Sequence, residues 1–163
     1  MQEDCSAAVA LGDGETYERQ ARENFRALLD DMCFFEELAI LGLGRFQFSR
    51  RRRMVAEFRG VYMAVWRLAL GSSFPGEADA MFSSFCRDYL RRSRDRNAQE
   101  VVQKAKEYWD MLRDAPAKDF RRLAEHLATL SARQGDDEHR QAVILKLALH
   151  IRAMYRLIFD RLI

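Results

Sequence analysis

Four consecutive arginines, Arg50–Arg53, follow Ser49 and lead directly into an apolar helical pattern. Guanidinium groups bind phosphates and carboxylates in a bidentate manner, so such a run is typical of a site for a nucleic-acid backbone, a phosphorylated ligand or an acidic surface. A helix N-terminus already carries partial positive charge, and arginines in its first turn therefore need negative charge nearby. The sequence predicts that a compensating anion lies close to Arg50–Arg53, or that the helix begins a turn earlier than Ser49. On a helical wheel Arg52 and Arg53 fall on the polar arc, whereas Arg50 and Arg51 project onto the apolar arc.

Three sources of that negative charge are open. The first is internal and consists of the carboxylates on the preceding predicted helix, which a short turn would place antiparallel to the arginine helix: Asp30, Asp31, Glu36 and Glu37. The second is the acidic segment of another copy of the chain, and the third is an external phosphate or nucleic-acid backbone. Internal pairing requires no unknown partner, and the sequence favours it.

Charge is distributed unevenly along the chain. Residues 1–44 hold ten acidic and three basic residues, whereas residues 45–96 hold twelve basic and five acidic ones. A second basic cluster, Arg91, Arg92 and Arg94, lies near the end of the basic segment, and the two clusters could bracket a phosphate backbone. The net charge of the chain is only +2, and no helix-turn-helix spacing or other nucleic-acid motif is present, so nucleic acid is the less favoured partner.

The sequence lacks the motifs of common enzymes and metal sites. Its three histidines, His126, His139 and His150, form no HExxH pair, and the last two would lie about 16 Å apart along one helix. There is no CxxC, no GxSxG and no phosphate-binding GK[ST]. We therefore expect a protein that is not an enzyme and that holds no metal and no other cofactor.

The cysteines and the apolar segments bear on location. Three cysteines, an odd number, are spread along the chain, which is typical of a reducing cytoplasm. The most apolar window, residues 143–163, is interrupted by charged residues and is not expected to cross a membrane. The sequence predicts a cytoplasmic protein with no membrane contact.

Apolar residues recur at steps of three and four along most of the chain, which predicts six helices. Their expected ranges are 16–41, 49–70, about 75–90, from 97, from about 114 to a stop at Gly135, and from 136 or 137 to the end. No stretch alternates as a half-buried strand would. We therefore predict an all-α fold, a single irregular bundle of about six helices over residues 14–163, after a flexible segment at residues 1–13.

Two helices have more apolar surface than one buried face requires. The last is apolar nearly all round, so it is expected to be the central helix of the bundle or to meet another subunit. Near the end of the first, Phe34 and Leu38 fall outside the main apolar stripe. These positions predict a subunit interface on the last helix or at the end of the first. Its four candidate residues are Phe34, Leu38, Leu149 and Leu157.

The function expected from these features is that of a helical interaction module that acts through protein–protein contacts. Its preferred partner is a second copy, giving a homodimer. The alternative is a small-ligand or nucleic-acid binding protein that uses the basic segment 45–96, with its arginines as phosphate clamps. The sequence does not identify the ligand or the pathway.

Overall fold

The computed structural model describes residues 5–94, 96–115, 119–131 and 137–162. These residues form α-helices with short connections and contain no β-strand, so the predicted all-α bundle is confirmed. The helices are α1 (Cys5–Asp31), α2 (Phe35–Ile40), α3 (Phe48–Ser73), α4 (Ala78–Arg92), α5 (Ala98–Arg113), α6 (Arg121–Ser131) and α7 (Asp137–Leu162). The segment expected to be flexible is helical from Cys5 onward, while residues 1–4 and Gly135 lie outside the described residues.

Helix α3 is the centre of the bundle, and every other described helix contacts it. From Met54 to Leu70 almost all its side chains are buried, because apolar and small residues occupy all sides of this stretch. The expectation that the last helix would be central is wrong. Helix α7 buries one face but leaves Leu145 and Leu149 exposed, because cations such as Arg152 share that outer side and keep it in water.

The predicted first helix is in fact two helices separated by a sharp turn. Phe34 has a left-handed backbone conformation with φ of 55°, which ends the helical path after α1 and starts α2 in a new direction. This conformation costs a non-glycine residue about 1–3 kcal/mol. Burial offsets the cost, because the Phe34 ring lies 5.9 Å from the ring of Tyr62 and 6.3 Å from that of Phe58.

The turn also explains why Phe34 and Leu38 do not fit the apolar stripe of the preceding helix. They lie at and after the turn, where the chain runs in a new direction, and their side chains point into the core. There they are only 4% and 2% exposed. Buried side chains are not available to a second subunit. The expected interface therefore loses Phe34 and Leu38, and of its four residues only Leu149 and Leu157 lie at the surface.

Helices α3 and α5 cross at Gly60. A Cβ atom at this position would lie 2.6 Å from Cβ of Lys104 and 3.2 Å from the backbone nitrogen of Ala105, so only glycine permits the approach. Beside the crossing, Glu57 is 1% exposed. Its carboxylate accepts a hydrogen bond from Oη of Tyr108 and lies 2.9 Å from Nζ of Lys104, so the buried charge is fully partnered.

Candidate functional site

The arginine cluster occupies the first turns of α3, which begins at Phe48, one residue earlier than predicted. The first turn contains no acidic residue, and its N-cap residue makes no side-chain capping bond. Arg50 and Arg51 are half-buried whereas Arg52 and Arg53 are exposed, which confirms the division that the helical wheel predicts. Positive charge is thus concentrated at the positive end of a long helix, where an anion would be stabilised.

The two half-buried arginines bind backbone carbonyl groups. Nη2 of Arg50 donates to the carbonyl oxygen of Ser131 at 2.5 Å, and its Nη1 lies 3.3 Å from Oε1 of Gln47. Nη1 of Arg51 donates to the carbonyl oxygen of Leu43 at 2.8 Å. Ser131 is the last residue of α6, so Arg50 meets the partially negative end of a neighbouring helix.

The prediction that Arg50–Arg53 pair with the carboxylates of the first two helices is therefore wrong. Among the described residues, no ion pair joins Asp30 or Asp31 to Arg51, Arg52 or Arg53. Asp30 and Asp31 are exposed at the end of α1, and the break at residue 34 turns the following carboxylates in another direction.

Glu37 and Glu36 bind His150 of α7. Oη of Tyr62 donates to Oε1 of Glu37 at 2.5 Å, and Nε2 of His150 lies 3.0 Å from the same oxygen. Nδ1 of His150 lies 3.5 Å from Oε1 of Glu36. The hydrogen bond to Glu37 raises the pKa of His150 against the opposing effect of burial. This cluster joins α2 to α7 and to the core. Its carboxylates, hydroxyl and imidazole bind one another rather than the arginines of α3.

The pKa of Glu37 reflects the same contacts. Burial raises it, but the hydrogen bonds from His150 and Tyr62 outweigh burial and hold the pKa of Glu37 below its ordinary value. Burial also raises the pKa of Tyr62 well above that of a free tyrosine, and the neighbouring carboxylate adds to this. Tyr62 is therefore a neutral donor to a carboxylate that is ionised above the lowered pKa of Glu37.

Two phenylalanines at the start of α3 lie in solvent. Phe46 is 92% exposed and Phe48 is 73% exposed, and Arg52 lies one helical turn beyond Phe48 on the same side. Arg45 and Arg53 are exposed as well. We call these five residues, Arg45, Phe46, Phe48, Arg52 and Arg53, the arginine–aromatic surface. Arginine and aromatic residues are enriched in protein interfaces, where they carry much of the binding energy.

A cleft of about 530 Å³ opens beside the same end of α3. Its basic wall comprises Arg50, His139, Arg140 and Lys146, and its apolar wall includes Ile40, Leu41, Leu43 and Val143. Of these four basic residues only Arg50 belongs to the basic segment 45–96, for which phosphate binding is the alternative prediction from the sequence. Helices α2, α3, α6 and α7 meet here, so residues that are far apart in the chain form one site.

The outer face of α7 carries a row of exposed leucines: Leu145, Leu149 and Leu157. Lys146, Arg152 and Arg156 are exposed on the same helix. Along a helix these cations interleave with the leucines, so a two-fold contact through this row would bring like charges from both copies together. Unlike the arginine–aromatic surface, this row contains no aromatic side chain.

The second arginine cluster has a local explanation. Arg91 and Arg92 occupy the last turn of α4, where the partially negative end of the helix stabilises cations. Nη2 of Arg91 donates to Oδ1 of Asp88 at 2.7 Å, and Arg92 and Arg94 are exposed. The position of Arg91 and Arg92 is thus accounted for by helix termination.

Sequence reasoning did not single out Phe46, Phe48, Arg140 or Lys146. The first two could have been recognised, because they fall outside both neighbouring apolar stripes, Phe46 in the glycine-containing connection and Phe48 at its end. The other two carry no local signal, because only the packing of α6 and α7 against α3 turns them toward Arg50.

Comparison with known proteins gives no relative: no family model, curated protein or solved structure matches the chain. Within the described part of the chain, no helix combines the length and the apolar character needed to cross a bilayer. The described residues also contain no group of three or more potential metal ligands. The function must therefore be argued from the surfaces of this molecule alone.

Proposed function

We propose that the protein is a non-enzymatic helical interaction module that acts through protein–protein contacts, and that it forms a homodimer through the arginine–aromatic surface. The observation that carries this proposal is the exposure of Phe46 and Phe48. Moving one phenylalanine side chain from water into an apolar contact is favourable by about 1.5–3 kcal/mol. Two such side chains beside each other, flanked by arginines, are suited to anchor a partner.

Charge complementarity favours a second copy as that partner. Arg45, Arg52 and Arg53 are exposed and form no ion pair with any described residue. Exposed carboxylates of the acidic N-terminal block are likewise unpaired within the described chain: Glu23, Asp30 and Asp31. Each copy thus carries unpaired charges of both signs, and the proposed two-fold contact sets the arginines of each copy against the carboxylates of the other.

The preference for this surface over the leucine row of α7 rests on the same argument. The leucine row is flanked mainly by cations, and Asp160 is the one exposed carboxylate among the described side chains of α7. Cations beside Phe46 and Phe48 meet carboxylates in a dimer through the arginine–aromatic surface. Cations beside Leu149 and Leu157 meet cations in a two-fold contact along α7.

Sedimentation velocity over a range from low to high micromolar protein tests the proposal. We expect the wild type to form a dimer of the 19.1 kDa chain and the double variant F46S/F48S to be a monomer with unchanged thermal stability. L90S, at an exposed leucine of α4, is the matched control and should still dimerise. A monomeric wild type at high micromolar concentration would refute the proposed homodimer.

A second double variant, L149S/L157S, separates the two surfaces. It should dimerise like the wild type. If it is a monomer while F46S/F48S still dimerises, the dimer uses the face of α7 and the arginine–aromatic surface is not the interface.

A nucleic-acid backbone is the competing occupant of the arginine–aromatic surface. It would bind with a steep dependence on salt, because phosphate neutralisation releases counterions. We expect no such binding to single- or double-stranded nucleic acid by the dimeric wild type. Strong, salt-sensitive binding that R52Q/R53Q abolishes would replace the protein partner with nucleic acid.

We further propose that the protein acts in the cytoplasm. Cys33 is an exposed free thiol and Cys86 is a buried one, and burial raises the pKa of Cys86 to about 11. Free thiols are typical of reducing compartments. Fractionation of cells that produce the tagged protein, with markers for each compartment, checks this location.

A further inference from the structure

We infer that the cleft between α2, α3, α6 and α7 binds an amphiphilic organic anion: a carboxylate or phosphate head group on a compact apolar body. This site is separate from the arginine–aromatic surface, since none of the five residues of that surface lines it. The inference rests on three properties of the cleft, namely its charge, its apolar wall and its size.

The charged side chains among the described lining residues of the cleft are all basic. Arg50, Arg140 and Lys146 line it together with His139, and the described lining residues include no carboxylate. Lys146 is exposed and makes no ion pair with a described residue. Three cations around one cavity repel one another, and a bound anion relieves this repulsion.

The N-terminus of α3, whose first turn contains no acidic residue, adds to the positive potential. Gln47 and Arg50, at the beginning of α3, line the cleft. This helix is 26 residues long. The backbone N–H groups at the start of such a helix favour anions and are a recurring phosphate and carboxylate site.

Two of the cations are held in place before any ligand arrives. The Arg50 guanidinium donates to the Ser131 carbonyl, and Nη2 of Arg140 donates to Oγ1 of Thr129 at 2.6 Å. Both partners belong to α6, so the last turns of this helix fix the two arginines relative to each other. A preorganised pair of guanidinium groups loses less conformational entropy on binding than two free side chains would.

The opposite wall defines the rest of the ligand. Ile40, Leu41 and Leu43 come from the end of α2 and its following turn, and Val143 and Ala128 come from α7 and α6. None of these side chains can hydrogen-bond a sugar or a second charged group. The volume of about 530 Å³ lies within the range of about 300–1,000 Å³ that small-molecule sites show. The fitting ligand is therefore anionic at one end and apolar at the other.

Isothermal titration with three probes tests this inference: octanoate, octyl phosphate and inorganic phosphate. We expect at least one of the two octyl compounds to bind with one-to-one stoichiometry, and inorganic phosphate to bind much more weakly. Octanoate as the tighter ligand identifies a carboxylate head, and octyl phosphate as the tighter ligand identifies a phosphate head. No binding of either octyl compound would overturn the inference, and equal binding of inorganic phosphate and octyl phosphate would overturn its apolar part.

Charge variants then place the binding in the cleft. K146Q and R140Q should each weaken binding of the tighter octyl probe by about tenfold or more, as expected for loss of a charge-assisted contact. K106Q, at an exposed lysine on α5, and R152Q, on the outer face of α7, are the matched controls and should bind like the wild type. Equal weakening by all four variants would show a nonspecific charge effect and contradict a built site.

Binding at the cleft and self-association can fail independently. F46S/F48S should retain binding of the octyl probe, because neither phenylalanine lines the cleft. K146Q should retain the sedimentation behaviour of the wild type. Loss of probe binding in F46S/F48S would place the ligand on the arginine–aromatic surface and refute the cleft as its site.

Discussion

The charged side chains of α3 have opposite environments in the two parts of the helix. From Met54 to Leu70 the helix is mostly enclosed, and its two buried charged residues, Glu57 and Arg67, are bound by residues of other helices. Glu57 is bound by Lys104 and Tyr108, and Arg67 forms an ion pair with Asp79. In the first turns, Arg52 and Arg53 lie in water without an ion-pair partner among the described residues, and Phe48 lies beside them.

This difference separates charges that hold the fold from charges that are available for binding. A buried charge is tolerated only when its partners are present, so Glu57 and Arg67 are constrained by the interior. An exposed arginine adds little to the free energy of unfolding. An exposed phenylalanine also adds little, because its side chain is not removed from water when the chain folds. One helix therefore provides the core of the bundle with one part and a contact surface with the other.

Removal of the Glu57 carboxylate should have the largest effect. E57A leaves Lys104 and the Tyr108 hydroxyl without their partner, and we expect the free energy of unfolding to fall by about 3–5 kcal/mol, as when one member of a buried pair is deleted. Urea denaturation followed by circular dichroism measures this loss. The control E107A, at an exposed position of α5, should change stability by no more than about 0.5 kcal/mol. Equal losses in both variants would show that Glu57 contributes no more than an exposed carboxylate and would contradict its role as a buried, partnered charge in α3.

A methyl group at the helix crossing should have the next largest effect. G60A places Cβ against Lys104 and Ala105, so α3 and α5 must move apart, at a cost of about 1–3 kcal/mol. The gain in helix propensity offsets about 1 kcal/mol of this cost. We therefore expect a net loss in thermal denaturation, whereas G76A, where a Cβ meets no atom within 4 Å, should be neutral or stabilising. A G60A variant as stable as the wild type would contradict the close crossing.

The Glu37–His150 cluster gives a pH dependence. The pKa of His150 is raised above its ordinary value of 6.5, so its contribution to stability is complete below that value and is lost as the pH rises through the raised pKa. The pKa of Glu37 is lowered from 4.5, so its contribution is complete above 4.5 and is lost as the pH falls through the lowered pKa. Thermal denaturation should show greatest stability between these limits. H150Q should remove the alkaline decline, and a wild-type profile that keeps its shape in H150Q would refute the assignment to this residue.

Removal of the exposed arginines should have the smallest effect on folding. R52A/R53A should change the free energy of unfolding by no more than about 0.5 kcal/mol per residue, because both side chains are exposed. The same variant should weaken self-association more at low salt than at high salt, because screening already weakens the ion pairs at high salt. A large loss of thermal stability would instead indicate that the arginines pair inside the fold.

The helical fold and the orientation of the arginines could be predicted from the sequence because both follow from local periodicity. The spacing of apolar residues determined which segments are helical, and one helical wheel placed Arg50 and Arg51 inward of Arg52 and Arg53. The break at Phe34 could not be predicted in this way. A left-handed phenylalanine is locally unfavourable, and it persists here because the ring is buried near Phe58 and Tyr62, which lie far along the chain.

The identity of the central helix and the presence of the cleft could not be predicted from the sequence for the same reason. α7 has more apolar residues than a single face needs, but only the packed bundle shows that Leu145 and Leu149 remain outside while α3 is enclosed. The cleft combines Arg50 with Arg140 and Lys146, which are separated by about half of the chain. Sequence patterns report which face of an element is apolar, and tertiary packing decides which elements meet.

The most direct test of the division within α3 is backbone hydrogen exchange, measured by mass spectrometry at low- and high-micromolar protein concentration. We predict that the amides of residues 45–53 exchange more slowly at the high concentration, because a second copy covers them. The amides of residues 54–70 should exchange at the same slow rate at both concentrations, because they are enclosed within each chain. Exchange in residues 45–53 that does not change with concentration, or protection that develops only along α7, would contradict the proposed role of the arginine–aromatic surface.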